Sequence, residues 1–303
     1  MPSWSSYALA AMADAAVRGL EPVRAKPAAP TAPEVDTAVV EDDMGRQWLV
    51  RAPRTPAAGV RLEREAGLLR VLAGKLPFEV PKVAGTAMLK GGGRAVVCEL
   101  VRGTPLQPST LTPGPGLAAS LGRSLAAVHD LPVQVAEEAG LAVYGVEEYR
   151  QRRMAEVDRA AGTGLVPTAL LARWESALEE AGAWRFAPCF LHGDLAAETV
   201  LTERGKVSGI LDWADARVAD PADDLAWLAI GAEEHAYESV IEAYVVGRRE
   251  QPDRHLARRA RLAGELAVAR WLLPGVAAAD DDVIRDAERM LSDLDLALAD
   301  TPW

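Results

Sequence analysis

The chain has 303 residues, half of them hydrophobic and a quarter charged, and carries a net charge of -11. That length suits two lobes better than one core, and the acidic balance argues against nucleic acid as a partner. Two cysteines make no disulfide framework, no apolar run approaches the ~18 residues needed to span a bilayer, and the opening MPSWSSYALAAMADAAVRGL lacks the basic region of a signal peptide, so a cytoplasmic protein with no membrane partner is expected.

The acidity is uneven. Residues 1–101 hold 13 Lys and Arg against 11 Asp and Glu, while the remaining residues hold 20 against 33. A field of that sign in the second part attracts cations, whether metal ions or amines.

In chain order, the opening stretch reads as an amphipathic helix. Pro and Ala crowd residues 25–34, a composition suited to a loop or an edge. DTAVVE and QWLVRAP flank the turn-forming DDMGR, which signals a hairpin. Apolar residues at Val60, Leu62, Leu68, Leu69, Val71 and Leu72 then predict a helix ending near Gly74. GTAMLKGGGRAVVCELV predicts a second hairpin turning on its glycines. Residues 102–116, rich in Pro and Gly, read as a linker or hinge. Beyond them helical periodicity dominates: LAASLGRSLAAVHDL, VEEYRQRRMAEVDRAA, PTALLARWESALEEAGAW, PADDLAWLAIGA, AYESVIEAYVVGRR, RHLARRARLAGELAVARWLL and a last helix over about 282–299. The expected fold is α+β: a small β-rich N-lobe over 1–101, with a hinge near 97–103, and a larger helical C-lobe over 102–303.

One hairpin interrupts the helices. TVLT and VSGIL are short apolar strands joined by ERGK. Asp194 precedes the first and Asp212 follows the second, and an antiparallel hairpin brings its two ends together. Two carboxylates held close repel unless a cation or a shared proton lies between them. A Mg²⁺ ion accepts one or two carboxylates and recruits phosphate oxygens, so the hairpin is expected to clamp a metal-bound phosphate. No G-x-x-x-x-G-K-[ST] occurs, which excludes a phosphate-loop NTPase.

HGDLAAET resembles the H-G-D-x-x-x-x-N catalytic loop of aminoglycoside phosphotransferases and their relatives, and ILDWADARVADPADDLAWL resembles their metal-binding segment. The resemblance is specific over 189–228, and within the family GILDWADARVADP is most similar to macrolide 2'-phosphotransferases. It implies a protein-kinase-like two-lobed fold and transfer of a phosphoryl group from GTP or ATP, with Mg²⁺, to a hydroxylated, amine-bearing small molecule, a macrolide first. Aminoglycoside, choline, sugar or homoserine kinases, and a non-catalytic binding protein, are the alternatives. Residue by residue, it implies that Asp194 is the catalytic carboxylate and that His192 holds its loop. Asp212 is the metal ligand and Thr199 stands where the family has the Asn of a second metal. Arg51 replaces a phosphate-binding Lys, Glu65 is its helical partner, and Cys98, Glu99, Leu100 and Val101 form the hinge that holds the base. Asp220 and Asp224 match acids at the end of the second motif, read as supporting or capping residues. Tyr237, Tyr244, Trp271 and Leu273 on the later helices are expected first to pack in the core; exposed, they would suit a large apolar acceptor.

Overall fold

The computed structural model describes residues 3–29 and 34–298. Most of the AAPTAP tract and the last residue of the expected final helix, Ala299, lie outside them. The chain runs through helix α1 (Ser6–Ala16), strands β1 (Pro22–Pro27), β2 (Val35–Asp42) and β3 (Gln47–Pro53), helix α2 (Pro56–Leu72), and strands β4 (Val83–Met88), β5 (Arg94–Glu99) and β6 (Thr104–Pro105). Helices α3 (Leu117–His129), α4 (Val133–Glu138), α5 (Val146–Ala161) and α6 (Thr168–Glu179) follow, then strands β7 (Cys189–Leu191), β8 (Val200–Glu203), β9 (Lys206–Ile210) and β10 (Arg217–Ala219). The chain continues through α7 (Ala222–Gly231), α8 (Glu234–Gly247), α9 (Leu256–Ala278) and α10 (Asp281–Leu298). Among the described residues no helix is long and apolar enough to cross a membrane.

These elements form two compact units. The first comprises Met1–Gln107, Val133–Leu141 and Ala196–Ala216. Its main sheet is antiparallel, in the order β1-β2-β3-β5-β4. The Pro-containing β1 is an edge strand, where a missing N–H does least harm. The β2–β3 turn is tied by Asp42, whose carboxylate accepts from Met44 N, Arg46 N and Trp48 Nε1. Strand side chains alternate between faces. On β5, Ala95 and Val97 face one way and join Leu9, Ala10 and Ala13 of α1, together with Ala38, Val40, Trp48, Val50 and Ala52. Val96 and Cys98 face the other way and meet Leu62 and Ala66 of α2. The same alternation on β3 puts Arg51 out of phase with Trp48, Val50 and Ala52, and so on the α2 face.

The division differs from the expected 1–101 and 102–303 boundary. The β8–β9 hairpin joins the strand-rich unit. Its pairing accounts for this: β8 hydrogen-bonds β6, Glu79 bridges Gly209, and Ser208 Oγ donates to the Arg102 carbonyl. Part of the presumed linker is therefore strand, and Leu106 within it is buried.

The second unit comprises Pro108–Pro132, Ala142–Leu195 and Arg217–Trp303. Its core gathers Val157, Leu170, Trp174, Leu178, Leu191, Leu262, Leu266, Leu272 and Leu291 from α5, α6, β7, α9 and α10. Strands β7 and β10 pair antiparallel within it. Helices α3 and α8 touch at Gly122, where a Cβ would stand 2.3 Å from the Val240 carbonyl oxygen. Burying each large aliphatic side chain here stabilises by about 1.5–3 kcal/mol.

Candidate active site

In the strand-rich unit, the Arg51 guanidinium is carried by β3 and Glu65 by α2, each only 3 % exposed. Arg51 Nη1 donates to Glu65 Oε2 at 2.9 Å and stands 3.7 Å from Asp212 Oδ1. The other Glu65 oxygen accepts from the Trp213 N–H at 3.3 Å. One glutamate thus holds both the arginine and the backbone immediately after Asp212. Burial works against the Arg51 charge, and the Glu65 carboxylate beside it outweighs that, so its pKa rises. Arg51 Nε and Nη2 are buried without a hydrogen-bond partner. Leaving buried donors unpaired costs about 1–3 kcal/mol each, and an anionic ligand would remove that penalty.

Asp212 follows β9 with φ 60° and ψ 63°, the left-handed region. A non-glycine residue there carries about 1–2 kcal/mol of strain. The surroundings hold it in place: Trp213 is fully buried and its indole N–H donates to the Ile210 carbonyl at 2.9 Å. The Asp212 side chain keeps 34 % of its surface exposed. Among the described residues no group of three or more His, Cys, Asp or Glu could cage a metal. A single accessible carboxylate suits an ion such as Mg²⁺, which takes its remaining ligands from phosphate and water.

Thr199 does not present itself as a second ligand. Its hydroxyl donates to the Ala196 carbonyl at 2.9 Å and accepts from the Ala196 N–H at 3.1 Å, closing the turn before β8. The side chain is buried, and its carbonyl accepts from Leu211 N at 2.9 Å. A short hydroxyl reaches only its own turn, where an Asn side chain would extend further. In the expected hinge, Cys98 is fully buried on the α2 face, and burial pushes its thiol pKa up. Glu99 N donates to the Lys82 carbonyl and Leu100 N to the Gln47 carbonyl, each at 3.0 Å. Val101 packs against Gly209, where a Cβ would come within 2.5 Å of its Cγ1. The Cys98 side chain is therefore not available to a ligand.

In the helical unit, His192, Gly193 and Asp194 leave β7 as a loop. Asp224 on α7, fully buried, accepts from the His192 N–H and the Gly193 N–H, both at 2.8 Å. Behind it, His129 Nε2 lies 3.2 Å from Asp224 Oδ2, and His129 Nδ1 lies 2.8 Å from the Tyr244 hydroxyl. Burial opposes the Asp224 charge, and hydrogen bonds from His129 and the loop outweigh it, so its pKa falls. His192 is buried, and its Nδ1 accepts a long 3.4 Å bond from Asp194 N. The Asp194 side chain is exposed. Asp220 accepts from Ala222 N at the start of α7 and pairs with Arg259 at 2.7 Å.

The hairpin argument expected Asp194 and Asp212 to be delivered together. Asp194 belongs to the helical unit and Asp212 to the strand-rich one. Two residues absent from that expectation support the loop: His129, and Arg217, whose Nη1 donates to the Gly193 carbonyl at 3.0 Å. The Arg of WADARV was a visible signal, since a cation inside an otherwise apolar strand must find partners. Nothing local marked His129. Tyr244 packs in the core and offers no acceptor surface: it is fully buried and directs its hydroxyl to His129. Tyr237 is also buried, whereas Trp271 is half exposed.

Comparison with known proteins adds the lineage. The chain is 30 % identical over 199 residues to the uncharacterized protein YcbJ of Bacillus subtilis (strain 168), covering 61 % of this chain and 63 % of YcbJ, less than two thirds of that relative's length. It is 32 % identical over 208 residues to viomycin phosphotransferase of Streptomyces vinaceus, covering 62 % of this chain and 68 % of that protein. Among solved structures, a macrolide 2'-phosphotransferase type I superposes with a TM-score of 0.78 at 26 % identity, covering 96 % of this chain and 99 % of that one. Residues 34–260 match the APH family, and the chain belongs to this phosphotransferase enzyme family, with its kinase-like α+β fold.

Proposed function

We propose that the protein transfers the γ-phosphoryl group of a nucleoside triphosphate, GTP or ATP, to a hydroxyl of a small-molecule antibiotic, with the 2'-hydroxyl of a macrolide as the first acceptor. The observation that carries this reading is the Arg51–Glu65–Asp212 cluster: a buried cation with two unpartnered N–H donors beside an accessible carboxylate. Those donors suit phosphate oxygens, and a guanidinium presents them as a planar fork. Asp212 would hold Mg²⁺, which when bound neutralises charge on the transferring group. Thr199 is left out of the metal set because its hydroxyl already closes its own turn.

Asp194 would accept the hydrogen bond of the substrate hydroxyl and turn its oxygen toward phosphorus, receiving the proton as the new O–P bond forms, the bond from the γ-phosphorus to the β,γ-bridging oxygen breaks and the nucleoside diphosphate leaves. Transfer of this kind passes through a loose transition state, so placement and charge neutralisation carry the rate. His192 shapes the loop and does not touch the reacting atoms. The nucleotide base would lie against the backbone of Glu99 to Val101.

The macrolide acceptor is supported by the GILDWADARVADP motif and by the structural likeness to a macrolide 2'-phosphotransferase. Viomycin is the second reading, favoured by the 32 % identity to a viomycin phosphotransferase. GTP and ATP consumption should be measured with Mg²⁺, alone and with erythromycin, viomycin or kanamycin. Erythromycin-dependent consumption, fastest with GTP, is expected. Stimulation by viomycin or kanamycin alone would replace the acceptor. Nucleotide binding without turnover across a broad acceptor panel would make the protein a non-catalytic binder.

A further inference from the structure

Asp194 stands at the end of three successive peptide planes, the first two anchored by one carboxylate. The His192 N–H belongs to the plane shared with Leu191, and the Gly193 N–H to the plane shared with His192; Asp224 accepts from both. Its two oxygens already accept from those two planes. The plane between Gly193 and Asp194 follows a glycine at φ 89°, the most freely rotating residue type, so nothing intrinsic to the chain fixes it. On its N–H side it makes a long 3.4 Å bond to His192 Nδ1. On its carbonyl side Arg217 Nη1 donates to the Gly193 oxygen at 3.0 Å.

Arg217 is itself held. Its Nη2 donates to Asp223 Oδ2 at 2.5 Å. Asp223 also accepts from Arg153 Nη2 at 2.8 Å and from the Tyr149 hydroxyl. Tyr149 and Arg153 are buried, and Arg153 Nη1 pairs with Glu156 at 2.6 Å. Burial opposes the Asp223 charge, but the Arg153, Arg217 and Arg270 guanidinium groups outweigh it and hold the carboxyl far below its usual range. The fork of Arg217 therefore has one prong on a permanent carboxylate and the other on the loop.

We propose that Arg217 is a positioning residue: by gripping the Gly193 carbonyl from the Tyr149–Arg153–Asp223 scaffold, it sets the peptide plane that starts Asp194 and so the direction of the Asp194 carboxylate. The catalytic consequence rests on the phosphoryl-transfer reading above, while the structural claim does not. Loss of the grip lets the plane turn over, and a misplacement of about 1 Å in a positioned group is worth about 100-fold in rate.

The test uses the full chain with Arg217→Ala and Arg217→Lys. Lysine keeps the charge near Asp223 but lacks a planar fork to hold both acceptors. Amide hydrogen exchange is followed in the 189–196 segment and, as an internal control, in α3. Both variants should exchange faster over 192–194, by about tenfold or more, with α3 unchanged. With the acceptor that wild type uses, kcat should fall by about 100-fold while both KM values stay within about threefold. Guanidinium ion, but not tetramethylammonium, should restore part of the Arg217→Ala rate. Unchanged exchange over 192–194 in both variants overturns the proposal, as does full kcat in Arg217→Lys. If Arg217→Ala loosens α3 as well, Arg217→Lys alone decides by the same criteria. A wild type that transfers nothing to any acceptor sinks the phosphoryl-transfer reading, and the exchange measurement still decides the role of Arg217.

Discussion

The two charged clusters are built on opposite terms. Around Arg51, in the strand-rich unit, a buried cation meets one carboxylate closely and leaves two nitrogens, Nε and Nη2, without a hydrogen-bond partner. Around Asp224, in the helical unit, a buried carboxylate takes two backbone N–H bonds and a histidine. Unsatisfied buried donors destabilise a fold unless something arrives to meet them, whereas a satisfied buried network rigidifies what it touches. The contrast separates a cluster with buried donors still to be met from one whose donors and acceptors hold its own loop still.

The sharpest way to break this contrast is at Asp194. Asp194→Asn should lower turnover by about 10²–10⁴-fold, the range for a lost acid–base group, while calorimetry still detects nucleotide. Retained turnover would remove Asp194 from its role. Asp224→Ala should act on stability instead. It strands His129 and two loop N–H groups, so chemical denaturation should register a loss of about 3–5 kcal/mol. A variant as stable as wild type would mean that the network does not brace the fold.

Arg51→Met should act on the ligand, weakening nucleotide affinity by about 1.5–3 kcal/mol, the worth of hydrogen bonds to a charged group. Glu65→Gln combined with Arg51→Met avoids leaving a bare buried carboxylate and separates folding from binding. Equal nucleotide affinity in that double variant would show that Arg51 does not meet phosphate.

A gentler probe is pH. Burial alone would lower the His129 pKa, but the Tyr244 hydroxyl at one nitrogen and the Asp224 carboxylate at the other favour the protonated ring, so its pKa lies well above the usual 6.5. A raised folded-state pKa contributes stability that is fully present below pH 6.5 and is lost as pH rises through the folded value. Unfolding free energy should therefore fall above pH 6.5, by up to about 1.4 kcal/mol per pH unit. His129→Gln should flatten that slope, and an unchanged slope would mean the ring is neutral. Smallest of all, the exposed Arg61–Asp215 pair at 2.8 Å should be worth less than about 1 kcal/mol by a double-mutant cycle.

The two clusters were not equally legible in the sequence. HGD was read through its resemblance to a family motif, whereas the position of Asp212 and the helix bearing Glu65 could be read because period-2 and period-3.6 patterns and turn residues are local signals. Arg51 was singled out through the resemblance, and the strand alternation that sets it apart from Trp48 and Val50 explains which face it takes. His129, Arg153 and Arg217 were not assigned roles, because the contacts that tie them to Tyr244, Asp223 and Gly193 span six to 115 residues, although Arg153 also pairs with the nearby Glu156. A buried charge is written in the sequence only together with its distant counter-charge. The membership of the β8–β9 hairpin was misjudged for the same reason: its pairing with Thr104 and Pro105 crosses about a hundred residues.

The left-handed backbone at Asp212 limits what evolution or an engineer could place there. Asparagine tolerates that conformation and glycine adopts it freely, whereas valine, isoleucine or threonine would force the chain out of it. A saturation library at this position should therefore sort into well-folded but silent substitutions, Asn and Gly at their head, and β-branched ones that express poorly. The shape of the chain and the charge it carries at that point can thus be varied one at a time.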